Sequence, residues 1–162
     1  MTRLFYEKML SDRFPDLPWI RVFTSAPFTV TVYACDKNLD LSNDSISQIK
    51  NFLSEKGMAT CRHIVKHYFE LKNDEAFPIG QVPPHIIHEA LKGDVTFSGV
   101  KSALKMAFPS INPENIEIEN NEVTFHTLND TNWTPYQRQF VVLMLSEILP
   151  VGSVAKLACD KS

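Results

Sequence analysis

The order of strand-like and helix-like patterns in the first half of the sequence constrains its fold more than any other feature. Segment 28–35, FTVTVYAC, alternates apolar side chains with threonine and is rich in β-branched and aromatic residues, which is typical of a β-strand. Segment 42–57 carries an apolar stripe at helical spacing, with a polar cap at its start and Gly57 at its end. A second strand at 60–71 completes a βαβ unit.

Segment 60–71, TCRHIVKHYFEL, supports two interpretations that differ in their chemistry. As a helix, it places His63 and His67 at positions i and i+4 of one face, a spacing that zinc enzymes use. As a strand, it places Cys61, His63 and His67 on one face, but at ~3.3 Å per residue the two histidines lie about 13 Å apart and cannot share an ion. We favour the strand, because its alternation covers a longer span.

The rest of the chain adds further helices and strands. Helical patterns cover 2–13, 82–93, 96–108 and 134–149, strand patterns cover 19–24 and a hairpin at 115–128, and the tail at 151–162 is either an edge strand or frayed. The helix at 134–149 opens with Thr134 and Gln137 in capping-box spacing. It is apolar all round between Phe140 and Leu145, so we expect it to be buried.

These patterns predict an α+β fold, or an α/β fold, in a single globular domain over residues 1–162. We expect a mixed β-sheet of about five to six strands flanked by about four to five helices, with a central buried helix near 135–148. We find no internal repeat in the sequence.

Composition narrows the class of protein. The chain has 162 residues, of which 44% are hydrophobic and 22% are charged, as in an ordinary globular domain. The net charge of −3 and the scattered Lys and Arg residues argue against nucleic acid. The longest apolar run, FVVLML at 140–145, is far shorter than the ~20 residues that span a membrane. With three cysteines and no secretion signal in view, we expect a soluble cytoplasmic protein with reduced thiols.

Several side chains are candidates for a metal site. They are Cys61, His63 and His67, together with His85 and His88, which stand at i and i+3 in a short helix. The competing interpretation makes the first group part of a packed strand face and leaves the last two exposed. We favour that interpretation, and we assign no metal ligand, no catalytic residue and no cofactor-binding residue.

The loop at Asp36, Asn38 and Asp40 resembles the start of a calcium-binding loop and then departs from it. Leu41 stands where the sharp turn needs glycine, and Ser47 stands where a bidentate glutamate is needed. The loop nevertheless follows a strand and precedes a helix, a position at which α/β sheets bind ligands. The sequence contains neither a nucleophile elbow nor a phosphate-binding glycine motif.

The leading functional hypothesis is a non-catalytic binding or regulatory protein that recognises another protein or a small ligand. The alternative is a transition-metal-binding protein or metal-dependent enzyme that uses Cys61, His63, His67 and either or both of His85 and His88. A third hypothesis is a small enzyme whose site is assembled from scattered residues. A homo-oligomer can form if an exposed edge strand pairs across a two-fold axis. Trp19 and Trp133 are candidate anchors for a partner.

Overall fold

The N-terminal half of the chain folds as a helix, a β-hairpin, a second helix and a third strand. The computed structural model describes residues 1–76, 81–93 and 95–159. The first elements are α1 (Arg3–Arg13), β1 (Trp19–Ala26), β2 (Thr29–Cys35), α2 (Asn43–Lys56) and β3 (Arg62–His67). Strand β2 lies in the centre of a three-stranded sheet, antiparallel to β1 and parallel to β3. The predicted βαβ unit is therefore confirmed.

Local sequence signals set the ends of these elements. Thr2 caps α1 by accepting a hydrogen bond from the backbone N–H of Phe5, and the helix stops at Phe14, just before Pro15. Ser42 caps α2 in the same way, and α2 ends at Gly57 as predicted. The caps satisfy backbone groups that have no partner within the helix.

The C-terminal half repeats this order of elements after a connecting segment. The connection contains two short helices, α3 (Glu70–Asn73) and α4 (Pro84–Ala90). The elements that follow are α5 (Phe97–Ala107), β4 (Ile111–Glu119), β5 (Glu122–Thr127), α6 (Pro135–Ser146) and β6 (Val154–Cys159). Strand β5 is antiparallel to β4 and parallel to β6, so the second sheet has the same pairing as the first.

The repetition extends to single residues, and it corrects the expectation that the chain has no internal repeat. Thr96 caps α5 as Thr2 caps α1, and both helices end at a Phe-Pro pair. The N–H of Phe14 bonds to the carbonyl of Leu10, as that of Phe108 bonds to Leu104. Few residue identities are shared between the halves, so the repeat is visible in the pairing and the caps rather than in the sequence.

The α+β class is confirmed, but the single sheet of five to six strands is wrong. Within the described residues, six helices accompany two separate three-stranded sheets, ordered β1-β2-β3 and β4-β5-β6. Alternation in sequence identifies a strand and its buried face. It does not say which hairpins join edge to edge, because that choice depends on how each half covers its own sheet.

Each half has its own hydrophobic cluster in the described part of the chain, between its sheet and its helices. In the first half the cluster includes Tyr6, Leu10, Val30, Val32, Ile49 and Leu53. In the second half it includes Leu104, Ile111, Val123, Phe125, Val141 and Leu145. At about 1.5–3 kcal/mol for each fully buried large apolar side chain, these clusters are the main source of stability in each half.

Polar contacts join the two halves. The Arg3 guanidinium bonds to both carboxylate oxygens of Glu147 at 3.1 Å. The backbone N–H of Val151 bonds to the carbonyl of Met1 at 2.9 Å. Gly152 adopts a positive φ of 98°, and a Cβ there would lie 2.4 Å from the ring of Phe28. The start of the chain is therefore clamped against the segment that follows α6.

Candidate functional site

The stretch that carries the candidate metal ligands is a strand, as predicted, although it is shorter than expected. Strand β3 covers Arg62–His67 and pairs in parallel with β2. The predicted strand ran to residue 71, but the chain turns after His67 and enters α3 at Glu70. The helical interpretation, with its zinc-enzyme spacing, is therefore wrong.

His63 is part of a packed hydrogen-bond network. The Tyr6 hydroxyl accepts the N–H of Met58 at 2.8 Å and lies 3.0 Å from Nε2 of His63. Burial lowers the pKa of His63 and raises the pKa of Tyr6 to about 12, so both side chains are neutral near pH 7 and share a hydrogen bond whose donor depends on the imidazole tautomer. Burial also raises the pKa of the nearby Cys61 thiol, which makes it a poor nucleophile.

The other candidate histidines have different surroundings. His67 Nε2 lies 3.1 Å from the carbonyl of Leu39, to which it donates, and the ring stacks on Phe69. His85 and His88 are exposed on α4, on either side of a buried Ile86. No three histidine, cysteine or carboxylate side chains in the described ranges lie close enough together to hold a metal ion.

The loop between β2 and α2 is held by hydrogen bonds to the carboxylate of Asp36, which lies within it. Asp36 Oδ1 accepts the backbone N–H groups of Asn38 and Asp40, at 2.8 and 3.0 Å. Leu39 takes a positive φ of 63° within this turn. The aspartate therefore shapes the entry to the α2 cap, and the suggestion that this edge of the sheet binds a ligand stays a prediction.

Helix α6 does not have the position that its sequence predicted. Only one side of it packs on the sheet, through Val141, Met144 and Leu145. Tyr136, Phe140 and Leu143 are 85%, 49% and 50% exposed. The expected central buried helix is therefore wrong. A three-stranded sheet can cover one side of a helix, and no described layer packs on its other side.

The exposed side of α6 is uncharged. The residues that lie on it, called the α6 outer face below, are Tyr136, Gln139, Phe140, Leu143 and Ser146. A solvated helix face normally carries charged residues. Aromatic residues combined with a lack of charge are instead the composition of the centre of a protein interface.

The internal repeat supplies a direct control for this observation. Helix α2 occupies the equivalent place in the first half, with Ile49 and Leu53 buried where α6 buries Val141 and Leu145. The exposed positions of α2 that correspond to the α6 outer face are Asp44, Ser47, Gln48, Asn51 and Ser54. All of these are polar. The fold therefore needs an apolar inner face at this place and tolerates a polar outer one.

Concave surfaces border the α6 outer face. A cleft of about 740 Å³ lies between the halves, with Thr24, Ser25 and Pro27 on one wall and Phe140 and Leu143 on the other. A shallower concavity of about 360 Å³ is lined mainly by aromatic side chains, namely Phe108, Trp133, Tyr136 and Phe140. A third concavity, of about 470 Å³, is lined by Arg138, Gln139, Val142, Leu143 and Leu157. The outer face is thus a ridge among these depressions, and Trp133, one of the two predicted anchors, lies in the second.

The charges at the base of the cleft are already paired. Arg3 bonds to Glu147, to Glu7 and to the carbonyl of Val22. Glu147 is almost fully buried, with 2% of its side chain exposed, and a second guanidinium, Arg21, approaches Glu7 at 3.6 Å. These groups balance one another, so the cleft offers apolar surface rather than an uncompensated charge.

Sequence reasoning missed this site because it took the apolar run at 140–145 as a sign of burial. The available signal was the presence of two apolar stripes on one helix, one through Val141 and Leu145 and one through Tyr136, Phe140 and Leu143. A helix that packs on one sheet needs only the first stripe. Comparison of α6 with α2 would have shown that the second stripe is additional.

No helix in the ranges that the structure describes combines the length and the apolar character needed to cross a bilayer. We compared the chain with protein-family models, with curated proteins and with solved structures, and none of them matches it.

Proposed function

We propose that this protein is a non-catalytic binding protein that recognises a protein partner through the α6 outer face and the adjoining cleft. The observation that carries the proposal is the difference between α6 and α2. Two helices in equivalent places bury equivalent residues, and only one of them presents tyrosine, phenylalanine and leucine outwards. Folding does not require these exposed apolar side chains, so we assign them to association with a partner.

The chemistry of the surface favours a protein over a small ligand. Small-molecule sites combine an enclosing apolar pocket with a few polar groups that converge on the ligand. In the cleft, the polar groups of Arg3 and Glu147 are directed at each other, and the α6 outer face is a ridge. A ridge with tyrosine and phenylalanine at its centre matches the aromatic enrichment of protein interfaces.

Within the described part of the chain, no observation favours the metal-dependent alternative. Of its candidate ligands, His63 is engaged by Tyr6, His67 by Leu39, and His85 and His88 lie on the surface of α4. A transition-metal site needs three or four ligands within about 2.0–2.3 Å of one point. The groups whose pKa values shift in this network, Tyr6 and His63, shift mainly because they are buried.

A charge placed on the outer face tests the proposal. Leu143→Glu puts a carboxylate at the centre of the apolar ridge, and Asn51→Glu puts the same group at the equivalent exposed position of α2. Wild type and both variants are immobilised and exposed to native cell extract. Each retained protein is then purified and titrated by calorimetry.

We expect Leu143→Glu to weaken binding at least about tenfold, which corresponds to ~1.4 kcal/mol, and Asn51→Glu to leave it within about twofold. Circular dichroism at equal concentration checks that both variants are folded. Equal binding by the two variants would remove the basis of the proposal, and so would a wild type that retains neither another protein nor a further copy of this chain.

A further inference from the structure

We propose that the partner seated on the α6 outer face is a second copy of this chain, related to the first by a two-fold axis. This inference rests on the proposed function, since it names the occupant of the same surface. Two properties of the surface carry it. They are its lack of charge and its area, and in addition the edge of β1 is blocked at its centre against pairing with a strand of another copy.

The surface carries no charge that would repel a second copy of itself. Across a two-fold axis each residue faces the same patch of its copy, so any net charge near the axis meets a like charge. The five residues of the α6 outer face carry no charge, in a chain in which 22% of residues are charged. Arg138, the charged neighbour on α6, directs its guanidinium to the carbonyl of Leu157. A foreign partner selected by charge would need a charged patch to meet, and this face has none.

The exposed apolar area suits a weak dimer, because it is about half of what a standard interface takes from each partner. Aromatic side chains bury roughly 150–250 Å² each, so the exposed parts of Tyr136, Phe140 and Leu143 supply on the order of 300–400 Å² of apolar surface. A standard interface takes about 800 Å² from each partner. The partly buried Trp133 and Phe108 lie next to this surface.

The sequence suggested a dimer through an unspecified edge strand, and one such edge, that of β1, is blocked at its centre. Val22 directs its backbone groups to the open edge of this strand. Arg3 donates to its carbonyl at 3.1 Å, and the Glu7 carboxylate lies beside its N–H. Side chains of the same protomer thus occupy the hydrogen bonds that a partner strand would need. The α6 outer face lacks such a block.

Sedimentation velocity between about 1 and about 200 µM tests the inference directly. We expect the wild type to convert from monomer to dimer within this range. Leu143→Glu should raise the dissociation constant at least about tenfold, because both copies then carry a carboxylate at the interface. Asn51→Glu should associate like the wild type. Thermal unfolding of each variant at the lowest concentration shows whether it is folded.

A wild type that stays monomeric across this range would overturn the inference, and so would a dimer that Leu143→Glu and Asn51→Glu affect equally. Its failure is distinguishable from failure of the proposed function. If the chain is monomeric while a different protein binds it with sensitivity to Leu143→Glu, the face is an interface and its occupant is foreign. If the chain is monomeric and retains nothing, both proposals fail.

Discussion

Arg3 is the residue on which the joint between the two halves depends. Its side chain is only 13% exposed, and its guanidinium donates hydrogen bonds to the carboxylates of Glu147 and Glu7 and to the carbonyl of Val22. Burial raises the pKa of Glu7, which Arg3 and then Arg21 oppose. Arg3 therefore compensates the buried Glu147 and, together with Arg21, the partly buried Glu7, which come from opposite ends of the chain.

Replacing this cation should be strongly destabilising. We expect Arg3→Met to lower the free energy of unfolding by about 3–5 kcal/mol, because it leaves the buried carboxylate of Glu147 uncompensated. The double variant Arg3→Met with Glu147→Met should recover most of that loss, since an apolar pair of similar volume replaces the ion pair. Urea denaturation measures both values. A single variant as stable as the wild type would contradict the described pairing.

His63 should make stability depend on pH. Its pKa is lowered in the folded state by burial, so the unfolded chain takes up a proton first as the pH falls below about 6.5. Stability is therefore highest above that pH and declines towards the folded pKa, by at most about 1.4 kcal/mol per pH unit.

Urea midpoints at pH about 7.5 and about 5 test this dependence. His63→Gln should reduce the decline, whereas His85→Gln, which changes an exposed histidine, should leave it as in the wild type. If the stability of His63→Gln declined with falling pH as much as that of the wild type, other groups would be responsible for the decline.

At the scale of single residues, the sequence predicts hydrogen bonds between residues that are close along the chain and does not predict those between distant residues. The caps at Thr2 and Thr134 are readable because donor and acceptor lie three residues apart. The bond between Tyr6 and His63 joins residues 57 positions apart, and no spacing rule predicts it. Its formation depends on how α1 packs against β3, which only the folded chain decides.

At the scale of elements, the paired N-caps offer a comparison within one molecule. Thr2 and Thr96 make the same cap, but Thr2 is fully buried and also donates to the carbonyl of Ala90 at 2.7 Å. We expect Thr96→Ala to cost about 1 kcal/mol. Thr2→Ala should cost a further ~1–3 kcal/mol, because it leaves a buried carbonyl without its donor. Equal losses in urea denaturation would show that the Thr2–Ala90 bond contributes nothing.

Most elements were predictable because their signals are local. The hairpin at 115–128 was predicted from its alternation and from two turn residues, and Asn120 does take a positive φ of 56°. Helix α6 was predicted from its capping box and from Pro135. Its exposure was not predicted, because apolar residues that pack inwards and those that face a partner have the same side-chain chemistry, and only the second apolar stripe distinguishes this helix.

At the scale of the whole molecule, the sequence did not reveal that the second half repeats the fold of the first. The two halves have the same strand pairing and the same helix caps but few identical residues, so their sequence similarity is too weak to be noticed. The predicted single sheet assumed that strands from both hairpins join, whereas each half buries its own sheet under its own helices. The same repetition makes α2 a control for α6, and the functional proposal depends on that comparison.

The most direct test of this account transfers the outer face of α2 onto α6. Tyr136→Asp, Phe140→Gln and Leu143→Asn together install the residues found at the equivalent positions Asp44, Gln48 and Asn51. The measurement is the free energy of unfolding in urea at a protein concentration at which the wild type is monomeric. If the outer face serves binding rather than folding, the triple variant stays within about 2 kcal/mol of the wild type. A loss of more than about 4 kcal/mol, of the size caused by deleting core side chains, would mean that these residues belong to the core and that the proposed interface does not exist.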